Sequence, residues 1–87
     1  MYNIRFNRQA TKFLSKQSKD IQAKIFYQIK ALADNPLPNG VKKLQGADSG
    51  MFRIRVGNYR VIYEINDNEL IILILKVGHR REVYRNL

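Results

Sequence analysis

Apolar and basic positions alternate along Phe52-Arg-Ile-Arg-Val-Gly-Asn-Tyr-Arg60 and onward to Ile65. A period of two is the signature of a strand with one buried face. Gly57-Asn58 interrupts it with a two-residue turn signal, so the segment reads as a hairpin of strands Phe52–Val56 and Tyr59–Ile65. Tyr2, Ile4 and Phe6 alternate likewise and predict an N-terminal strand. The period then changes. Asn7 can cap a helix over Arg8–Lys16 that turns Ala10, Phe13 and Leu14 inward. Ser18 can cap a second helix, in which Ile21, Ile25, Ile29 and Leu32 form an apolar stripe widened by Phe26 and Ala33. Lys19, Lys24 and Lys30 lie largely off that stripe and read as a solvated face. The proline-containing loop Asn35–Gly40 ends the helix. Val41–Leu44 reads as a short strand, Gln45–Gly50 and Asn66–Asn68 as turns, and Glu69–Val77, apolar on both faces, as a central strand.

The resulting order, β-α-α-β-β-β-β, predicts an α+β fold. An N-terminal strand and a helical hairpin pack on one face of a mostly antiparallel four- to five-stranded sheet. Residues 1–87 suffice for one small domain. The helices can cover only one sheet face, which leaves the other as a binding surface. At 45% hydrophobic the core is thin, so a partner could add stability.

Composition narrows the chemistry. The chain has no cysteine, which points to the cytosol, and its polar, alternating start does not read as a signal peptide. The longest apolar run, Leu70–Leu75, is too short to cross a bilayer. One histidine and seven acidic residues give no metal-ligand cluster, and no cofactor is expected. A net charge of +9 and a pI near 10.2 favour nucleic acid or an acidic protein as partner.

The hairpin register sharpens this. A two-residue turn places Arg55 opposite Arg60 and puts Arg53, Arg55 and Arg60 on one face, against Phe52, Ile54, Val56, Tyr59, Val61 and Tyr63 on the other. Directly opposed like charges destabilise a sheet by up to roughly 1 kcal/mol. Such a pair suits an anionic ligand. If the last strand pairs with the hairpin, His79, Arg80, Arg81 and Tyr84 come within reach of the arginines. Such a surface has no carboxylate pair and no nucleophilic cysteine or serine motif, but RNA carries its own nucleophile, the 2′-hydroxyl. The protein need only move two protons and stabilise charge on the phosphorane, which clustered cations do. Lys42 and Lys43 read as phosphate contacts or plain surface. The residues by themselves support a basic RNA-binding domain with metal-free ribonuclease chemistry as an option.

Phe52-Arg-Ile-Arg-Val-Gly-Asn-Tyr-Arg-Val-Ile-Tyr-Glu64, followed across the apolar strand by Val77-Gly-His-Arg-Arg-Glu-Val-Tyr84, resembles the RelE toxins of the RelE/ParE superfamily. The N-terminal strand and helical hairpin extend the resemblance over nearly the whole chain. It implies a RelE-like fold and a cytoplasmic type II toxin that inhibits translation by cleaving mRNA in the ribosomal A site. It also implies partners: the ribosome and mRNA, and a short acidic or amphipathic cognate antitoxin. By position, it makes Arg53, Arg55, Arg60, Arg80 and Tyr84 the catalytic set. Arg53 and Arg55 stand where relatives often carry lysine; arginine stays protonated, so a role as general base does not transfer. Arg60 would clamp the phosphate and Arg80 would stabilise the leaving group, with Arg81 the alternative tail arginine. Tyr84 would orient the substrate or assist proton transfer. His79 is a secondary acid–base candidate, and Arg85 joins Lys42 and Lys43 as an RNA contact. Two other readings stand beside this one. A ParE-like inhibitor of DNA gyrase would use the same fold without nuclease chemistry, and an inactive protein-binding module would do no harm when expressed alone.

Overall fold

In the computed structural model, which describes residues 1–44 and 50–80, Asn7 and Ser18 start the two helices. The Asn7 side chain accepts from the Ala10 N–H at 3.0 Å, and the Ser18 hydroxyl accepts from the Ile21 N–H at 3.3 Å. Each cap satisfies a donor that helical geometry leaves unpaired. Helix α1 spans Arg8–Ser15 and α2 spans Lys19–Ala31. The strands are β1 (Asn3–Phe6), β2 (Lys42–Lys43), β3 (Met51–Val56), β4 (Tyr59–Asn66) and β5 (Ile71–His79). They form one sheet in the order β1-β5-β4-β3-β2, parallel at β1–β5 and antiparallel elsewhere. The fold is α+β, with two helices on a mostly antiparallel five-stranded sheet. The turn expected at Gln45–Gly50 lies, except for Gly50, outside the described residues.

The helices cover the face that carries Ile54, Val61 and Tyr63, and Ala10, Leu14, Ile25, Ile29 and Leu32 close the core against it. Phe26, expected to widen the stripe, instead sits at the rim, 42% exposed and edge-on to Phe6 at 5.7 Å. The last strand begins two residues later than its composition suggests. Leu70 adopts φ 56°, a left-handed conformation that belongs to the preceding turn, where Asn66 Oδ1 accepts from the Glu69 N–H at 3.0 Å.

Two features set the geometry of β5. A register shift between Ile62 and Tyr63 pairs Ile62 with Lys76 and Tyr63 with Ile74, so the bulged strand has one extra residue. Ile74 and Val77 therefore both reach the core, while Lys76 and Gly78 fall opposite Ile62 and Arg60. Beyond Phe6, where β1 ends, the Gln9 side chain substitutes for a strand. Its amide donates to the Val77 carbonyl at 3.2 Å and accepts from the Val77 N–H at 3.1 Å.

Tyr63 ties the proline loop to the sheet: its hydroxyl donates to the Pro36 carbonyl at 2.7 Å. Burial pushes its pKa from the usual 10.0 up to about 12. The unfolded chain therefore releases this proton first, and the stability that neutral Tyr63 contributes is full below pH 10 and lost as pH rises through about 12. Thermal melts should lose stability more steeply between those values in the wild type than in Tyr63→Phe. Parallel curves would refute this.

Candidate functional site

The face away from the helices is built in cross-strand rows. Nearest the hairpin turn, Gly78, Arg60 and Arg55 lie side by side on β5, β4 and β3. The next row is Lys76, Ile62, Arg53 and Lys42, ending on β2. Alternation in β3 and β4 thus puts three arginines together, and the bulge and the edge strand add two lysines.

Each arginine is held differently. Arg60 is 8% exposed, and its Nη1 donates to the Tyr59 carbonyl at 3.1 Å and to the Gly57 carbonyl at 3.5 Å. Its guanidinium is thereby tied to the turn, whereas Arg55, its cross-strand neighbour, is exposed. Gly78 lies opposite on β5 and puts no side chain in competition for that space. Arg53 is 3% exposed, and its Nε and Nη1 are buried with no hydrogen-bond partner. A buried guanidinium with idle donors is costly, and only an anion that displaces its cover and reaches those donors removes the cost. Ile62, beside Arg53, is fully buried although it stands outside the main core.

Arg80 reaches the same end of the sheet. Its backbone N–H donates to the Asn58 carbonyl at 3.0 Å, which continues the β4–β5 pairing past the turn, and its side chain is exposed. His79 does not join the arginines. It pairs with Tyr59 on the helix-bearing face, with ring centroids 4.8 Å apart, and Phe13 meets both rings edge-on at 6.1 Å. Its surroundings are aromatic, and the strand pleat turns it away from the arginines. Lys42 lies in register with Arg53, whereas Lys43 aligns with Phe52 on the alternate face. Arg81, Tyr84 and Arg85 lie outside the described residues.

Sequence reasoning passed over Lys76 and Tyr27. Lys76 was hidden in an apolar strand whose bulge could not be read locally. Tyr27 and Lys24, the latter read as part of a solvated face, line a groove together with Arg55. The signal for Tyr27 was an aromatic residue off the apolar stripe. A cavity of about 730 Å³ opens toward the other end of β4, around Arg5, Glu64, Asp67, Glu69 and Leu73, beginning at Glu64 in the row beyond Arg53 and Ile62. Among the described residues no three His, Cys, Asp or Glu side chains gather to hold a metal, and no helix is long and apolar enough to cross a membrane.

Three arginines and two lysines thus share one sheet face, with the Nε and Nη1 of Arg53 unpartnered, and comparison with known proteins places the chain in a family. Residues 4–84 match the family model described as the ParE toxin of the type II toxin-antitoxin system parDE. The chain is 35% identical over 85 residues to the toxin RelG of Mycobacterium tuberculosis, covering 97% of both chains. It superposes with a TM-score of 0.79 on a chain of the Mycobacterium tuberculosis RelBE2 toxin-antitoxin complex, at 34% identity and covering 91% of this chain and 98% of that one. Against the archaeal RelE-RelB complex from Pyrococcus horikoshii the TM-score is 0.81 at 30% identity, covering 94% and 98%. The chain belongs to the RelE/ParE superfamily of type II toxins and is a RelE-type toxin.

Proposed function

We propose that this toxin cleaves mRNA on the translating ribosome by activating the RNA's own 2′-hydroxyl. The observation that carries this is Arg53: a buried guanidinium with two unpartnered nitrogens, in the row beside Arg55 and Arg60. In the proposed step the 2′-oxygen attacks the adjacent phosphorus while the bond from phosphorus to the 5′-oxygen breaks. The 2′ proton leaves, the departing 5′-oxygen takes a proton, and a 2′,3′-cyclic phosphate and a 5′-hydroxyl result. Arg53 and Arg60 would hold the non-bridging oxygens as negative charge builds on the phosphorane. Arg55, exposed in the same row as Arg60, would position the neighbouring phosphate. Arg80, pinned beside the turn, would neutralise charge on the leaving oxygen. Preorganised donors of this kind are among the largest single contributions to catalysis.

Arginine remains protonated, so none of these groups serves as a base. The proton transfers are assigned to Tyr84, with Arg81 the alternative tail cation, or to groups that the RNA and ribosome bring. His79, stacked on Tyr59 across the sheet, fits a packing role better than an acid–base one. Lys42, Lys43 and Arg85 would contact phosphates farther along the strand.

The partner assignments follow the same chemistry. Solved relatives are complexes of a RelE toxin with a RelB antitoxin, and a chain at +9 suits an acidic or amphipathic antitoxin of its own. A cytoplasmic site of action goes with the ribosome. Toe-printing on translating ribosomes tests the proposal: new A-site ends should appear with the wild-type toxin and disappear when antitoxin is added. Intact message, together with loss of DNA gyrase supercoiling, would establish the ParE-like alternative instead.

A further inference from the structure

Strand β2 covers β3 at Phe52 and Arg53, and among the described residues no strand pairs the outer edge of Ile54, Arg55 and Val56. Helix α2 lies against β3. Between them runs a groove of about 470 Å³ lined by Lys24, Tyr27, Gln28, Arg55, Val56 and Gly57. It adjoins a cavity of about 200 Å³ that shares Lys24, Val56 and Gly57 and is bounded by Tyr59. Tyr27 is 75% exposed, the most exposed aromatic side chain among the described residues. Among the described residues that line the groove none is acidic, and the two charged ones, Lys24 and Arg55, are cations.

We propose that this groove binds a base of the RNA next to the phosphate held by Arg55, with the base stacked on Tyr27 and its phosphate against Lys24. The inference rests on the RNA-cleavage reading and adds a subsite to it. Arg55 belongs both to the cross-strand arginine row and to the groove wall, so a strand of RNA can pass from one to the other around the free edge of β3. An exposed aromatic beside cations, with an amide at Gln28, is the composition that holds single-stranded nucleic acid. Stacking needs only a π-face and tolerates any base, so the subsite would add affinity without dictating sequence. An acidic protein segment could also meet Lys24. Continuity with the arginine row through Arg55 favours the RNA.

The test uses the purified toxin and a hexaribonucleotide carrying the fluorescent base 2-aminopurine at each position in turn. Anisotropy reads binding, and fluorescence quenching reads stacking. With wild-type protein, quenching should be strong at one position. Tyr27→Ala should abolish it and weaken binding about 5- to 150-fold, the range for loss of one base–aromatic stack. Tyr27→Phe should restore both, because the ring and not the hydroxyl does the stacking. Binding without any quenched position, or quenching unchanged in Tyr27→Ala, overturns the subsite while leaving message cleavage standing. Loss of antitoxin binding in Tyr27→Ala with RNA binding intact also overturns it, assigning the groove to the protein partner. If wild-type toxin neither binds the hexamer nor cleaves message, the subsite falls together with the RNA reading.

Discussion

Arg60→Ala should lower single-turnover cleavage of ribosome-bound message by about 10²–10³-fold, the effect of removing one preorganised donor from a developing anion. The structural case is that Arg60 is buried, fixed to the Tyr59 and Gly57 carbonyls, and flanked by Gly78. A side chain held that way loses little entropy when it engages a phosphate, so its contribution is realised fully in the transition state. Arg60→Lys should recover only part of the rate. It keeps the charge but lacks the planar fork that lets arginine meet two oxygens at once. Stability should fall modestly. The variant loses the guanidinium's hydrogen bonds, the two to the turn among them, at about 1 kcal/mol each, and recovers up to about 1 kcal/mol from the opposition with Arg55. Circular dichroism melts alongside the cleavage assay separate the two effects. Cleavage by Arg60→Ala at the wild-type rate would remove Arg60 from the site.

Arg53→Met should have opposite effects on stability and activity. Arg53 is 3% exposed with Nε and Nη1 unpartnered, so the free toxin carries an uncompensated desolvation penalty. Methionine has a similar reach and adapts to irregular surroundings. Replacing the buried cation should stabilise the free protein by about 1–3 kcal/mol. For a chain of this size that raises the melting temperature on the order of 5–15 °C. Cleavage should nevertheless fall by about 10²-fold or more, since the idle donors are the ones proposed to meet the phosphorane. Inorganic phosphate should raise the melting temperature of the wild type and do so less for Arg53→Met, because a ligand that binds only the folded state stabilises it by mass action. A lower melting temperature for Arg53→Met would make Arg53 a structural residue, and the proposal would lose its main support. The pattern is that of a functional site that sacrifices fold stability for a preorganised charge.

The position of the candidate site was readable in part. That Arg53, Arg55 and Arg60 share a face follows from strand alternation and a two-residue turn, and the observed pairing of Arg55 with Arg60 matches it. What was not readable is how each cation is held. Whether Arg60 folds back to the turn, or Arg53 sinks beside Ile62, depends on neighbours brought from other strands. His79 shows the same boundary. Taking the last strand to end at Val77 placed His79 in a tail within reach of the arginines, whereas the strand continues two residues and pairs His79 with Tyr59 on the helix-bearing side.

Local chemistry alone therefore determined the α+β class, both helix starts, the hairpin and its register, and the gathering of arginines on one sheet face. Each depends on contacts between residues near in sequence: a cap three residues from its donor, a turn between paired strands, side chains alternating along a strand. The tertiary structure decided what depends on long-range packing. The bulge that brings Lys76 and Gly78 alongside the arginines arises where β5 must satisfy both the core and β4. The Gln9 clamp on Val77 joins residues 68 apart in sequence. The groove that sets Tyr27 and Lys24 beside Arg55 forms where β2 stops short among the described residues and α2 lies against β3. No periodicity within a single segment encodes such meetings, because their free energy comes from surfaces that do not exist until the chain has folded.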